Sequence, residues 1–157
     1  MFVAVSMLCW SATQSSAQSE KGLAPTSRVA ADVIKFTNVE RTHYQRPALR
    51  ANLRLMRAAQ LQAEQMARAR HMAHELPGAR YPRMIDRMAA TDYRWYTAGE
   101  NVAFGQANAA KVVDSWMRSR GHRANILNDN FTEMGAGYAV DQTGRPYYVQ
   151  VFARPLS

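Results

Sequence analysis

The chain has 157 residues, 47% of them apolar, which suits one globular domain with a core of ordinary size. Its single cysteine, Cys9, excludes a disulfide scaffold. The formal net charge of +8 comes almost wholly from arginine, since only Lys21, Lys35 and Lys111 are lysines. That excess reads first as a solvated arginine surface, and otherwise as a match for an anionic partner such as nucleic acid, anionic lipid or cell-wall polymer. With no run of five like charges, no aromatics interleaved with the basic residues and no nucleic-acid-binding motif, nucleic acid is not the expected one.

The first segment reads MFVAVSMLCWSATQSSAQS. Its apolar stretch from Phe2 to Trp10 is short of the roughly 20 residues a membrane span needs. The small residues Ser15, Ser16 and Ala17 suit cleavage after Ala17. Residues 1–17 are therefore expected to be a signal peptide, although the usual basic start is missing. Met7 and Leu8 before Cys9 are too large for a lipid-attachment motif. The mature chain is then secreted or periplasmic and carries no transmembrane segment. Residues 18–26 are polar, hold Gly22 and Pro25, and read as a linker to a domain over 27–157.

In chain order, Ser27 is a candidate cap for a helix over 27–44, with Val29, Val33, Phe36 and Thr37 on one side. Pro47 breaks it. A longer helix is expected over 51–72, its stripe formed by Leu53, Met56, Ala59, Ala63, Met66 and Ala67. Its small alanines invite close approach by another element. Pro77 and Gly78 end that segment. A short third helix over 82–90 carries Met84, Ile85 and Met88. A strand is expected over 100–104. Asn108 caps a fourth helix with Ala109, Val112, Val113 and Trp116 on one face, Arg118 and Arg120 in its last turn, and Gly121 as its stop.

The C-terminal third changes period. Met134, Ala136, Tyr138 and Val140 alternate with Gly135, Gly137 and Ala139, and YYVQVFA follows the turn DQTGRP. This is a β-hairpin. Tyr147, Val149 and Val151 point one way and Tyr148, Gln150 and Phe152 the other, so both faces need cover. The glycines suit a helix packed tightly on that part of the sheet. The expected fold is α+β: an α-β-α sandwich around a small antiparallel sheet.

Among four histidines, His43 reads as surface. His71 and His74 are three apart after the long helix, and His74 returns to its apolar face, with Glu75 pointing elsewhere. Glu100 opens a strand in AGENVAFG, where a buried carboxylate needs a partner. His122 follows a helix end and is free to turn inward. Two imidazoles and a carboxylate from three segments could share a pocket suited to zinc or to acid/base work. Read separately, each is equally a satisfied core or surface residue. No HExxH, CxxC or nucleophile elbow is present.

TAGENVAFG, SWMRSRGHRANILNDNFTEMGAGYAV and YYVQVFA, with NVERTHYQRPAL and LQAEQMA before them, resemble the bacterial branch of the CAP superfamily, the SCP-like extracellular domains, over about 33–153. The resemblance implies the α-β-α sandwich, secretion, and a cleft of two histidines and acidic residues that binds a divalent metal in some members. Carried over, the cleft residues are His74, Glu100 and His122, with Asn101 and Ser119 as supporting donors. A second family glutamate falls near Ser119, so a fourth oxygen ligand would have to come from Glu133 or Glu75. The resemblance implies binding of a lipid-like molecule, a cell-envelope component or a divalent metal. The alternative is a zinc-dependent hydrolase or peptidase with His74, His122 and Glu100 as ligands or base. A third reading is an anionic-surface binder driven by the arginines.

Overall fold

The computed structural model describes residues 25–156, so the expected signal peptide and most of the linker lie outside the described residues. The chain runs α1 (Pro25–His43), β1 (Arg50–Ala51), α2 (Leu53–Ala69), α3 (Met84–Ala90), β2 (Trp95–Phe104), α4 (Ala109–Arg118), α5 (Arg120–Ile126), β3 (Glu133–Val140) and β4 (Pro146–Pro155). The sheet order is β1-β3-β4-β2. The three long strands are antiparallel, as expected, and β1 joins β3 in parallel through Arg50 and Ala51.

Strand β4 lies at the centre, and its alternation divides the core in two. Tyr147, Val149 and Val151 pack with Leu55, Ala59, Met66 and Met88 beneath α2 and α3. Tyr148 and Phe152 pack with Val33, Val112, Trp116 and Ile126 beneath α1, α4 and α5. Each such large apolar side chain, fully buried, stabilises the fold by roughly 1.5–3 kcal/mol. Helix α2 sits directly on β3. A Cβ on Gly135 would lie 2.2 Å from the backbone carbon of Leu55, and one on Gly137 2.3 Å from that of Ala59. Only glycine admits this approach, which sets the first half of α2 tight against β3.

Three boundaries differ from the sequence reading. Residue 51 pairs with β3, and Asn52 starts α2 by accepting from the Arg54 and Leu55 amides. The same helix stops at Ala69, where Arg70 takes a left-handed conformation (φ 51°, ψ 33°) and its N–H returns to Met66 and Ala67. Strand β2 begins at Trp95 and takes in the aromatic run before Glu100.

Candidate functional site

Strand β2 is an edge of the sheet. Its side chains alternate, so Ala98 and Val102 meet the α2/α3 core while Ala103 meets the α1/α4/α5 core. Glu100 therefore points to the first face and Asn101 to the second. The outer carbonyls of an edge strand need partners. Trp116 Nε1 donates to the Val102 carbonyl at 3.2 Å, and Asn125 Nδ2 to the Glu100 carbonyl at 3.2 Å. These two bonds hold α4 and α5 against the edge.

The break between those helices is at Ser119, which is extended (φ −93°, ψ 122°) and forms no side-chain cap bond. Gly121 lies inside α5, so it does not stop the helix as its residue type suggested. A Cβ there would meet nothing within 4 Å, and the left-handed freedom of glycine is unused. The first turn of α5 carries His122 towards the β2 edge.

His74 arrives from the other side on the loop after α2. Buried Gln62 pins that loop by donating to the carbonyls of Ala73 (2.6 Å) and His74 (3.3 Å). Gln65 holds its return limb through the Tyr81 carbonyl and amide. The His74 side chain is 56% exposed, not inward as the helical count implied, because the helix has already ended; its Nδ1 lies 3.0 Å from Glu100 Oε1. The carboxylate itself is 4% exposed.

The other carboxylate oxygen is taken by a residue the sequence reading missed. Arg87, on α3, is fully buried, and one of its terminal nitrogens donates to Glu100 Oε2 at 2.6 Å. The other terminal nitrogen donates to the carbonyls of Tyr81 and Pro82. Its Nε has no partner. A signal was present: Arg87 stands three residues after Met84 and one before Met88, on the apolar side of a short helix, where a charge demands a counter-charge.

On the opposite face, Asn101 Nδ2 donates to the His122 carbonyl (3.1 Å) and to Gln150 Oε1 (3.0 Å). Asn125 donates to Asn101 Oδ1 (2.9 Å), Gln150 to the Thr37 hydroxyl, and Thr37 to the Val33 carbonyl (2.7 Å). Asn101 thus positions the backbone beneath His122. Glu100, accepting from its ring, raises the pKa of His74 above the ordinary 6.5, against the opposing pull of partial burial and Arg87. His122 is lowered, first by burial and then by the nearby charge of His74. His122 thus feels the charge of His74, and the two shifts are of opposite sign.

The two carboxylates considered as a fourth ligand lie elsewhere. Glu133 sits on β3, two strands from β2, and accepts from Arg50, Asn52 (3.0 Å) and Tyr93 (2.7 Å). Glu75 is exposed and lies towards Arg83. Among the described residues no group of three or more His, Cys, Asp or Glu side chains is arranged to hold a metal ion. With one oxygen of Glu100 on a permanent cation and the other on His74, the donor set does not fit zinc. A hollow of about 550 Å³ near Arg54, Tyr93 and Glu133 involves none of His74, Glu100 and His122, of which the His74 ring is the one most open to water.

Residues 34–152 match the model of the CAP family, the cysteine-rich secretory protein family. The chain belongs to the CAP family. It is 38% identical over 106 residues to protein YkwD of Bacillus subtilis (strain 168), covering 68% of this chain and 40% of that one. It is 29% identical over 122 residues to membrane protein YlbC of the same organism, covering 78% and 33%. The chain therefore spans less than half the length of either curated relative. Among solved structures, an extracellular protein containing a SCP domain from Bacillus anthracis str. Ames superposes with a TM-score of 0.73 at 25% identity, over 84% of this chain and 44% of that one. An outer surface protein from Borrelia burgdorferi shares the fold (TM-score 0.71, 19% identity, 78% and 90% covered). No described helix of this CAP chain is long and apolar enough to cross a membrane.

Proposed function

We propose that this CAP domain is secreted and binds a component of the cell envelope at the cluster of His74, Glu100 and His122, with Asn101 and Ser119 supporting it, and that it does not catalyse hydrolysis there. One observation carries this reading: both oxygens of Glu100 are committed, one to His74 and one to Arg87, which leaves no free carboxylate for a base or a metal ligand. Among the described residues no serine, threonine or cysteine is hydrogen-bonded to either imidazole, so an activated nucleophile is also lacking. What the cluster offers is an exposed imidazole held in one orientation, on a chain of net charge +8. Secretion is supported by the leader pattern and by the extracellular and outer-surface descriptions of the structural neighbours.

Native mass spectrometry of the protein purified from its own host tests the reading, together with binding to purified wall and to envelope-lipid vesicles. A retained or recaptured envelope component, lost in the His74→Ala, His122→Ala double variant, is the expected result. Turnover of peptides, esters or wall fragments that is abolished by His122→Ala would replace it with the hydrolase reading.

A further inference from the structure

Arg87 sits behind Glu100, on the side away from water. From inside to outside the order is a fully buried guanidinium, a nearly buried carboxylate and a half-exposed imidazole. A guanidinium does not give up its proton in a protein, so this positive charge is permanent. We propose that Arg87 is the resident cation of the cleft: by neutralising Glu100 from within, it makes the site reject divalent metal ions and accept a neutral or anionic group. The inference rests on the reading of His74, Glu100 and His122 as a binding cleft, and it corrects the metal site that the family resemblance implied.

Three observations support it. Among the described residues Glu100 is the one carboxylate bonded to His74 or Arg87, since Glu133 is held by Arg50, Asn52 and Tyr93 and Glu75 acts on Arg83. Counting charges, Arg87 and Glu100 sum to zero and the imidazoles add zero or more, so the cluster is net negative in no protonation state. A divalent ion would enter without a compensating charge, beside a fixed like charge screened by little water. Finally, Arg87 also donates to the carbonyls of Tyr81 and Pro82, in the loop that carries His74, while its Nε stays unpaired. Its placement is therefore set by Glu100 and by that loop, and not by full satisfaction of its own donors. Arg87 is a positioning residue: it holds the carboxylate that orients the His74 ring, with Nδ1 on Glu100 and the opposite nitrogen left for a ligand.

Zinc chloride alone is the probe, followed by calorimetry, thermal unfolding and the imidazole NMR signals at pH 7.5. In the wild type, zinc should neither raise Tm nor move the His74 and His122 signals. In Arg87→Gln, which keeps a donor near Glu100 but no charge, zinc should raise Tm by several degrees, bind one per chain and shift both imidazoles. Adding Glu100→Gln should abolish that binding. Arg87→Met is the second variant if Arg87→Gln folds poorly, and the wild-type titration stands even if neither folds. One zinc per wild-type chain, lost in Glu100→Gln, would overturn the proposal. So would a folded Arg87→Gln that takes no zinc. Binding to purified wall and to envelope-lipid vesicles is measured separately on the His74→Ala, His122→Ala variant: its survival there would sink the cleft reading and leave the zinc result intact.

Discussion

Glu100 and Asn101 are neighbours on one edge strand, yet they found two unlike polar clusters on opposite faces of the sheet. Asn101 belongs to a chain of amides and hydroxyls from Asn125 through Gln150 and Thr37 to the Val33 carbonyl, in which each donor finds an acceptor. Asn101, Gln150 and Thr37 are fully buried. Such a closed, satisfied network specifies a packing and offers nothing to a ligand. Glu100 belongs to a charged cluster that begins at a buried guanidinium with one orphaned nitrogen and ends at an imidazole in water. The difference is that of scaffold and site: one network closes on itself, and the other opens outwards.

Removing the acidic member should cost the most. Glu100→Ala leaves the Arg87 charge buried and unpaired, which is expected to destabilise the fold by about 3–5 kcal/mol. Asn101→Ala orphans acceptors on Gln150 and His122 but strands no charge, and should cost about 1–3 kcal/mol. Urea unfolding at pH 7 measures both. Equal losses, or a larger one for Asn101→Ala, would mean that the Arg87–Glu100 pair is not as desolvated as its burial implies. His74→Ala should cost less again, about 1 kcal/mol or under, since its pair with Glu100 is open to solvent on the histidine side. A loss as large as that of Glu100→Ala would show that His74, not Arg87, is the main partner of the carboxylate.

This ordering bears on what could be read from the chain beforehand. The hairpin and its two-faced strand were legible because a period of two with apolar residues on both sides admits few other structures, and Gly135 and Gly137 announced the close helix above them. The convergence of His74, Glu100 and His122 came from the motif order that the family resemblance supplied; spacing alone left it open. The helix end at Gly121 was misread because residue type marks where a helix can stop. Tertiary bonds decide where it does: Trp116 on Val102 and Asn125 on Glu100 place the break at Ser119. Arg87 was passed over because the helix over 82–90 was described only by its apolar residues Met84, Ile85 and Met88. Asking what neutralises a cation on that helix would have pointed to Glu100. The same question, asked of Glu133, leads to Arg50 and away from the cleft.

The smallest expected effect tests whether the open cluster really couples the two histidines. His74 has a raised folded pKa, so its contribution to stability is full below the ordinary 6.5 and is lost as pH rises through the higher folded value. His122 has a lowered folded pKa, so its contribution is present above 6.5 and is lost as pH falls through the lower folded value. The two windows lie on opposite sides of 6.5, so the joint contribution of the two histidines to wild-type stability should peak near that pH and decline on either side. The single variants separate them. In His122→Ala, stability should decline as pH rises above 6.5; in His74→Ala, it should decline as pH falls below 6.5. Imidazole NMR titrations give the same test residue by residue. The His74 midpoint should lie above 6.5 and fall in Glu100→Gln, because the accepting carboxylate is its main cause. The His122 midpoint should lie below 6.5 and move only part of the way back in His74→Ala, because burial outweighs the neighbouring charge. A full return to 6.5 would assign the whole shift to His74 and place the His122 ring in water; no change at all would separate the two imidazoles and divide the cleft into unrelated halves.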